Sequence, residues 1–472
     1  MEFYKCLNSF MEKYDVKAAD LHRLCGLKRP YISKMLSGDL LPSSYDTVEK
    51  IMNAMDLTLD EKIAVTDSYL LSKSVGDGRL MWECFKQVYF LSYPHTDSIK
   101  ADTPCNSTNA ELLNEQQLLG KLCLMLKDCK NEPMLFFAPL TVSCAEKMSK
   151  ALELMPRDTN IKWITPLNKQ GTADAQNFLL WSSCLTVMSV KPCTVMKTQT
   201  DIQSLIKSTP FPFYLISEGG LMLFDSELQG GQFFSDKQMI EMYVKSFSEL
   251  AGNSQLLMMS FDEANDALKL LNDQVPTVLA VKSNCYTISN QPCTCLDLSG
   301  TDIHDYTDTD ESDKIANMYG IFLRDVFTNI ENFYDVFSVY GMHDFLDDED
   351  YYLLGRHFSK SMSKQFRRQT LTNYSMVTLH ESYYYPLGLR IPGFNKQPFI
   401  GMNVFENGCI IGTYDFEQKP LVVVANDKGI TSSMIAYLHE LKKYHLISSK
   451  EETTKYIQAE LEKRSNNEEA GL

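Results

Sequence analysis

From Phe3 to Leu71 the apolar residues recur three and four apart, the period of helices that bury one face, and five short helices account for them. Phe3, Leu7, Phe10 and Met11 make the first stripe, Val48, Ile51, Met52 and Met55 the fourth, and Leu59, Ile63 and Tyr69 part of the fifth. The polar, glycine-containing run 72–79 (SKSVGDGR) breaks this period before Trp82 and predicts a first boundary. Past a Thr/Ser/Asn/Asp-rich stretch at 93–109, Ala110 to Cys129 reads as one long helix. The type of structure then alternates: strand-like Met134 to Ala138, helical Val142 to Leu154, strand-like Ile161 to Thr165, helical Ala173 to Met188 and strand-like Cys193 to Lys197. Such alternation predicts an α/β sheet.

Two strand candidates, Phe213 to Ser217 and Leu221 to Asp225, lead into a helix at Asp236 to Leu250. Gly219-Gly220 and Gly230-Gly231 read as turns. The acidic stretch Asp302 to Asp313 reads as a solvated connector, followed by a helical run from Lys314 to Ile330. Beyond it the pattern predicts a helix at Tyr351 to Gln369, strands at Met376 to His380, Phe399 to Phe405, Cys409 to Tyr414 and Leu421 to Ala425, and a helix at Thr431 to Lys443. Strands leading into a helix thus occur twice, an order common enough that it does not by itself establish a duplication. The expected architecture is multidomain: an N-terminal all-α helix-turn-helix bundle of five helices over 1–75, then a large α/β or α+β region divided into 80–300 and 313–472.

The most specific segment is Val16 to Ser43, VKAADLHRLCGLKRPYISKMLSGDLLPS. Leu21 and Leu24 fall on one helix, Gly26 in a tight turn, and Ile32, Met35 and Leu36 on the next. Leu21, Leu27, Ile32 and Met35 clamp the two helices, Gly26 takes a left-handed turn without Cβ strain, and Pro30 suits a first helical turn. Arg29, Ser33 and Lys34 then project outward, with Lys28 at the helix mouth.

At Leu21, Gly26, Leu27, Ile32, Ser33, Gly38 and Pro42 the segment resembles the lambda-repressor-like, Xre-type family of helix-turn-helix regulators, over about the first 70 of 472 residues. The resemblance implies that the helix after the glycine turn enters the DNA major groove, with Lys28, Arg29, Ser33 and Lys34 contacting bases or phosphates and Tyr31 and Ser37 nearer phosphates. Lys17 and Ala18 stand where a Thr-Gln pair is common, so Lys17 offers a charge to phosphate instead. His22 stands where a small alanine usually packs.

Charge qualifies this picture. Lys plus Arg number 45 against 61 Asp plus Glu, a formal net charge of -16, which excludes a globally basic nucleic-acid binder. The imbalance lies elsewhere: residues 1–75 hold 10 basic and 11 acidic side chains. Residues 1–55 hold 8 basic side chains, three of them being Lys28, Arg29 and Lys34 on the presumed groove-facing element. Thirteen cysteines, an odd number at irregular spacings, read as reduced and mostly buried thiols. The N-terminus has no apolar core, and no stretch approaches about 18 uncharged apolar residues, so a cytoplasmic chain without membrane contact is expected.

Catalytic grammar is missing downstream. His439-Glu440 begins a zinc-protease pattern, but Lys443 takes the second ligand position. Asp308, Asp310 and Ser312 lack the turn glycine and terminal glutamate of a calcium loop. Cys285, Cys293 and Cys295 read as core or loop thiols, and Arg356, Lys360, Lys364, Arg367 and Arg368 as a solvated helix face. The expectation is a non-enzymatic, sequence-specific transcription regulator that binds double-stranded DNA as a homodimer. It needs no cofactor, and the large region senses a small-molecule effector of unknown identity. The alternative is an enzyme or nucleotide-responsive protein in which the helical module is a protein-interaction adaptor.

Overall fold

In a computed structural model of the chain, which describes residues 2–74, 77–89, 110–127, 134–154, 159–167, 174–188, 190–191, 193–199, 202–261, 283–293, 329–347, 361–394, 401–414 and 420–471, an N-terminal helical region precedes strands and helices of a mixed α/β type. The first helices are Phe3–Lys13 (α1), Ala18–Cys25 (α2), Arg29–Ser37 (α3), Tyr45–Ala54 (α4) and Leu59–Lys73 (α5). Their inward residues Phe3, Leu7, Leu21, Ile32, Met35, Val48, Ile51, Val65 and Tyr69 are buried. A reciprocal cap fixes the start of α5: Thr58 Oγ1 accepts the Glu61 N–H at 3.4 Å, and the Thr58 N–H donates to Glu61 Oε2 at 2.8 Å. Asp77–Tyr89 forms a further helix (α6), and its Trp82 donates from Nε1 to Asp67 at 2.9 Å.

The described residues fall into two units. One comprises Cys84–Lys269 and Asn407–Ser433. It holds strand β1 (Ala110–Asn114), α7 (Glu115–Lys127), β2 (Met134–Phe137), α8 (Val142–Leu152), β3 (Ile161–Leu167), α9 (Asp174–Met188), β4 (Cys193–Gln199), α10 (Ile202–Ser208), β5 (Phe213–Ser217), β6 (Gly220–Phe224), β7 (Gly230–Phe234), α11 (Lys237–Gly252) and β8 (Gln255–Phe261). β2, β3 and β4 run parallel, β5 pairs antiparallel with β2, and β6 and β7 continue outward as antiparallel strands. Phe136 of β2 stacks on Trp163 of β3 with ring centroids 4.7 Å apart, both fully buried.

The other unit comprises Met1–Glu83, Leu270–Glu406 and Met434–Leu472. Besides α1–α5 it contains β9 (Ser283–Ser289), β10 (Ile330–Ser338), α12 (Val339–Asp347), α13 (Lys364–His380), β11 (Tyr384–Leu389) and β12 (Gly401–Val404). Strands β13 (Cys409–Tyr414) and β14 (Pro420–Ala425) belong to the first unit, helix α14 (Lys428–Lys443) begins there, and α15 (Lys450–Gly471) follows.

Strand pairing recurs with a shift of seven. β9, β10 and β11 are parallel as β2, β3 and β4 are, and β12 lies antiparallel on β9 as β5 lies on β2. β13–β14 matches β6–β7, and β8 on β14 matches β1 on β7. Even the last strand repeats: β8 runs antiparallel to β4, and Ile447 makes an antiparallel bridge to Leu389 of β11. Each repeat also stacks aromatics across its parallel strands, here Tyr286 on Tyr334 at 4.5 Å and Tyr334 on Tyr385 at 4.9 Å. The hairpin-and-helix order common to 213–250 and the C-terminal part is therefore one piece of a larger topological repeat.

Several sequence expectations are corrected. Ala110 to Cys129 is not one helix: Ala110–Asn114 is a strand against β7, and Asn114 then caps α7 by accepting the Gln117 N–H at 3.0 Å. Gly230-Gly231 opens β7 instead of forming a turn. In the predicted helix Lys314 to Ile330, residues 314–328 lie outside the described residues, and Ile330 begins strand β10. The predicted helix Tyr351 to Gln369 has 351–360 outside the described residues; residues 361–363 are not helical, and the described helix opens at Lys364, where Ser363 accepts the Phe366 N–H at 3.2 Å. It runs through Met376 to His380, so that predicted strand is helical. Arg356 and Lys360 are outside the described residues, and Arg367 is fully buried with Nη1 on the Phe345 carbonyl at 2.7 Å, so the basic stripe is not simply a solvated face. Asp302 to Asp313 and Cys295 also lie outside the described residues. Nine of the ten described cysteines are buried. No helix among the described residues is long and apolar enough to cross a membrane.

Candidate nucleic-acid interface

Helix α2 ends because Gly26 turns left-handed (φ 68°), and its N–H closes on the His22 carbonyl at 3.1 Å. The His22 ring then bridges the turn, donating from Nδ1 to the Leu27 carbonyl at 2.6 Å. The position where the family pattern favours a small packing residue is thus a hydrogen-bonded tie. Of the four residues expected to clamp the helices, Leu21, Ile32 and Met35 are buried and Leu27 is half-buried, whereas Leu24, on the same helix as Leu21, is 56% exposed. Lys28 precedes α3 and Pro30 occupies its first turn, which contains no acidic residue. Gly38 (φ 85°) closes α3, and Asn8 Nδ2 donates to the Leu36 carbonyl at 3.0 Å.

Ile32 and Met35 are the buried side of α3. At about 100° per residue, Arg29, Ser33, Ser37, Pro30 and Lys34 then span an outward arc of roughly 140°, opposite that buried pair. All five are exposed, as are Lys17 and Lys28, while Tyr31 is half-buried at the edge of the arc. Among the described residues none of Lys17, Lys28, Arg29 or Lys34 makes an ion pair, in contrast to Arg23, which pairs with Asp20 at 2.8 Å. Lys17 donates its backbone N–H to Asp20 at 3.1 Å, which leaves its ammonium free of the cap. Ser37 is already engaged: its hydroxyl lies 2.7 Å from Asp39 Oδ2 and 3.0 Å from the Lys34 carbonyl. The result is a helix N-terminus and three cations, Lys28, Arg29 and Lys34, with no anion paired to them among the described residues, an arrangement suited to phosphate oxygens and base edges.

The two glycines differ in how they resist substitution. A Cβ on Gly26 meets nothing within 4 Å, so Gly26→Ala costs only the left-handed strain, about 1 to 2 kcal/mol. A Cβ on Gly38 would lie 2.9 Å from the Tyr4 ring. Gly38→Ala is expected to lower the melting temperature further than Gly26→Ala, and Tyr4→Ala to recover part of the Gly38→Ala loss and none of the other. Equal losses with no recovery would remove the Tyr4 contact from the explanation.

Sequence reasoning missed the polar joint that holds α4. Arg390, directly after β11, donates from Nη1 to Asp46 Oδ1 at 2.6 Å and from Nη2 to Glu49. His445 Nδ1 donates to Asp46 Oδ2 at 3.1 Å, and the Tyr45 N–H donates to the Tyr444 carbonyl at 3.1 Å. Burial raises the Asp46 carboxyl, but the Arg390 guanidinium and His445 outweigh it and hold the group below the usual carboxylate range. Partners more than 300 residues apart leave no local signal in a sequence.

No family model matches the chain, and no curated protein does. Solved structures with some likeness include the polyphosphate kinase of Porphyromonas gingivalis, at 7% identity over 67% of this chain and 47% of that one with a TM-score of 0.23. The chain thus spans about half the length of that kinase. TrmBL2, an archaeal chromatin protein, shows 10% identity over 49% and 83% at a TM-score of 0.21. The phosphatidylserine synthase of Haemophilus influenzae shows 8% over 82% and 98% at 0.24. Likeness at these scores assigns neither fold nor function to this chain.

Proposed function

We propose that the chain is a sequence-specific, DNA-binding transcription regulator without catalytic activity. Its first five helices act as one lambda-repressor-like bundle that reads duplex DNA, and its α/β remainder senses an effector and carries dimer contacts in the cytoplasm. One observation carries the reading: α3 turns a buried Ile32–Met35 side inward and holds Lys28, Arg29 and Lys34 outward, all exposed and without ion pairs among the described residues. Cations left unneutralised on a short helix whose first turn contains no acid gain little within the protein and much against phosphate, by releasing condensed counterions. A single such helix covers about half a turn of duplex, so two copies reading half-sites about 34 Å apart are expected. The rest of the chain is far larger than dimerisation requires, which leaves room for a ligand site.

Selection from genomic DNA fragments at moderate salt tests the reading. Fragments enriched by the whole chain and lost when residues 1–75 are removed support it. Equal recovery by both forms would leave no role in DNA recognition for the helical region.

A further inference from the structure

Arg390 stands immediately beyond β11, beside the end of the parallel strand β10 at Ser338. Open α/β sheets place small ligands just outside the carboxyl ends of parallel strands. Here that position is filled by the chain itself. The backbone of Arg390 is tied down by its N–H on the Leu446 carbonyl at 2.8 Å and by the neighbouring Leu389–Ile447 bridge. Its side chain is only 19% exposed. Opposite it, His445 follows α14 in a left-handed conformation (φ 62°) that turns its ring toward Asp46. Tyr340 and Tyr456 stand close enough to Glu49 and Arg390 to feel their charges.

An arginine fork is shaped to take two oxygens of one carboxylate or phosphate. This one divides its nitrogens between two carboxylates, Asp46 and Glu49, three residues apart on α4, with Nη1 also donating to the His445 carbonyl at 3.3 Å. Together with the His445 donor, the pair occupies the fork as a small dianion would. From this geometry we infer that Arg390 and His445 form a binding site for a compact dianion, a phosphate monoester or a short dicarboxylate, kept closed by Asp46 and Glu49 as tethered stand-ins.

Tethered groups compete at an effective concentration of order millimolar, so an external dianion binds the unaltered chain weakly unless it makes contacts the carboxylates lack. When it binds, α4 loses its ion pairs to Arg390 and the joint at Tyr45–Tyr444 loosens. On the reading of the helical region as a DNA reader, this exchange is what couples an effector to DNA, and by linkage each then alters the other's affinity by the same factor. The anion site itself does not depend on that reading.

The test is calorimetric titration of the full chain with inorganic phosphate and with succinate, in buffer free of other polyvalent anions and of DNA. The Asp46→Asn/Glu49→Gln double variant is expected to bind at least one probe ten-fold or more tighter than the parent, because its stand-ins have lost their charge. The probe that tightens names the ligand class. Arg390→Gln is expected to abolish binding, and Arg390→Lys, which keeps the charge without the fork and serves as the milder variant, to weaken it at least ten-fold. Hydrogen exchange at residues 45–54 of the parent is expected to rise with saturating probe. A double variant that binds neither probe more tightly than the parent overturns the inference, as does Arg390→Lys binding at full strength. Because no DNA is present, a chain that never binds DNA still gives the predicted result, and the two readings fail separately.

Discussion

A variant with Lys28, Arg29 and Lys34 all changed to alanine is expected to bind selected duplex DNA no better than the chain lacking residues 1–75. The three side chains are exposed and make no ion pair among the described residues, so removing them leaves the buried Leu21, Ile32 and Met35 contacts intact and the variant folds like its parent. For every phosphate that a side chain no longer neutralises, the slope of log affinity against log salt becomes shallower by about 0.9. The single changes separate the roles. Arg29, at the start of α3, is placed for a two-pronged guanine contact, and Arg29→Ala is expected to erase about 1 to 3 kcal/mol of preference at one base pair. Lys34, at the far end of the arc, is expected to act on phosphate, so Lys34→Ala lowers affinity for all sequences alike. Affinities over a salt series, on the selected site and on scrambled DNA, give both quantities. A folded triple variant with parental affinity and slope would show that α3 does not meet the DNA.

The second large effect concerns a buried carboxyl. Asp335 of β10 is fully buried, and its Oδ2 accepts from the Tyr374 hydroxyl at 2.7 Å, the Tyr384 hydroxyl at 3.0 Å and the Cys293 N–H at 2.9 Å. Cys285 also faces it, and Oδ1 has no hydrogen-bond partner among the described residues. Burial pushes the carboxyl up to about 6 against the three donors. Between about pH 4 and pH 6 the folded chain therefore holds a proton that the unfolded chain has released, and stability falls as pH rises through that window. A tenfold difference in proton affinity between the folded and unfolded chains is worth about 1.4 kcal/mol, so the loss is about 3 kcal/mol by pH 7. Asp335→Asn has no charge to bury, so the parent is expected to lose about 3 kcal/mol relative to the variant from pH 4 to pH 7 in denaturant unfolding. Glu61 acts with the opposite sign, held down to about 2 by Lys13 and Tyr14 and losing its stabilisation as pH falls, but it is common to both proteins and cancels. Parallel pH profiles would mean that Asp335 ionises in the folded chain as it does in the unfolded one.

What the sequence disclosed follows from how local each determinant is. Strands Phe213–Ser217 and Cys409–Tyr414 begin and end where the apolar runs do. The start of α7 was also legible, since Asn114 and Gln117 form a reciprocal cap three residues apart, yet the apolar period across it hid the break. β1 could not be read from its own residues, because Ala110–Asn114 is extended only by pairing with Gly230–Phe234. At Met376 to His380 the β-branched and apolar residues imitate a strand, but Tyr374 and Thr378 bury one face of a helix already capped at Ser363, and tertiary burial overrides propensity. In α9 the residues from Leu180 to Met188 are all buried, which removes the amphipathic stripe altogether. Of the candidate site, the arc of α3 was visible because its signals lie within ten residues. The Arg390 joint was not, because α4 and β11 meet only in the folded chain.

The most direct measurement places a photoreactive amino acid at Ser33, at the middle of the outward arc between Arg29 and Ser37, and for comparison at the exposed Lys237 of α11. Each protein is irradiated on a selected duplex. Crosslinks from position 33 to bases of the recognised sequence are expected, and none from position 237. Absence of a DNA crosslink at position 33 in a protein that still binds the duplex would contradict the reading of α3 as the helix that meets DNA.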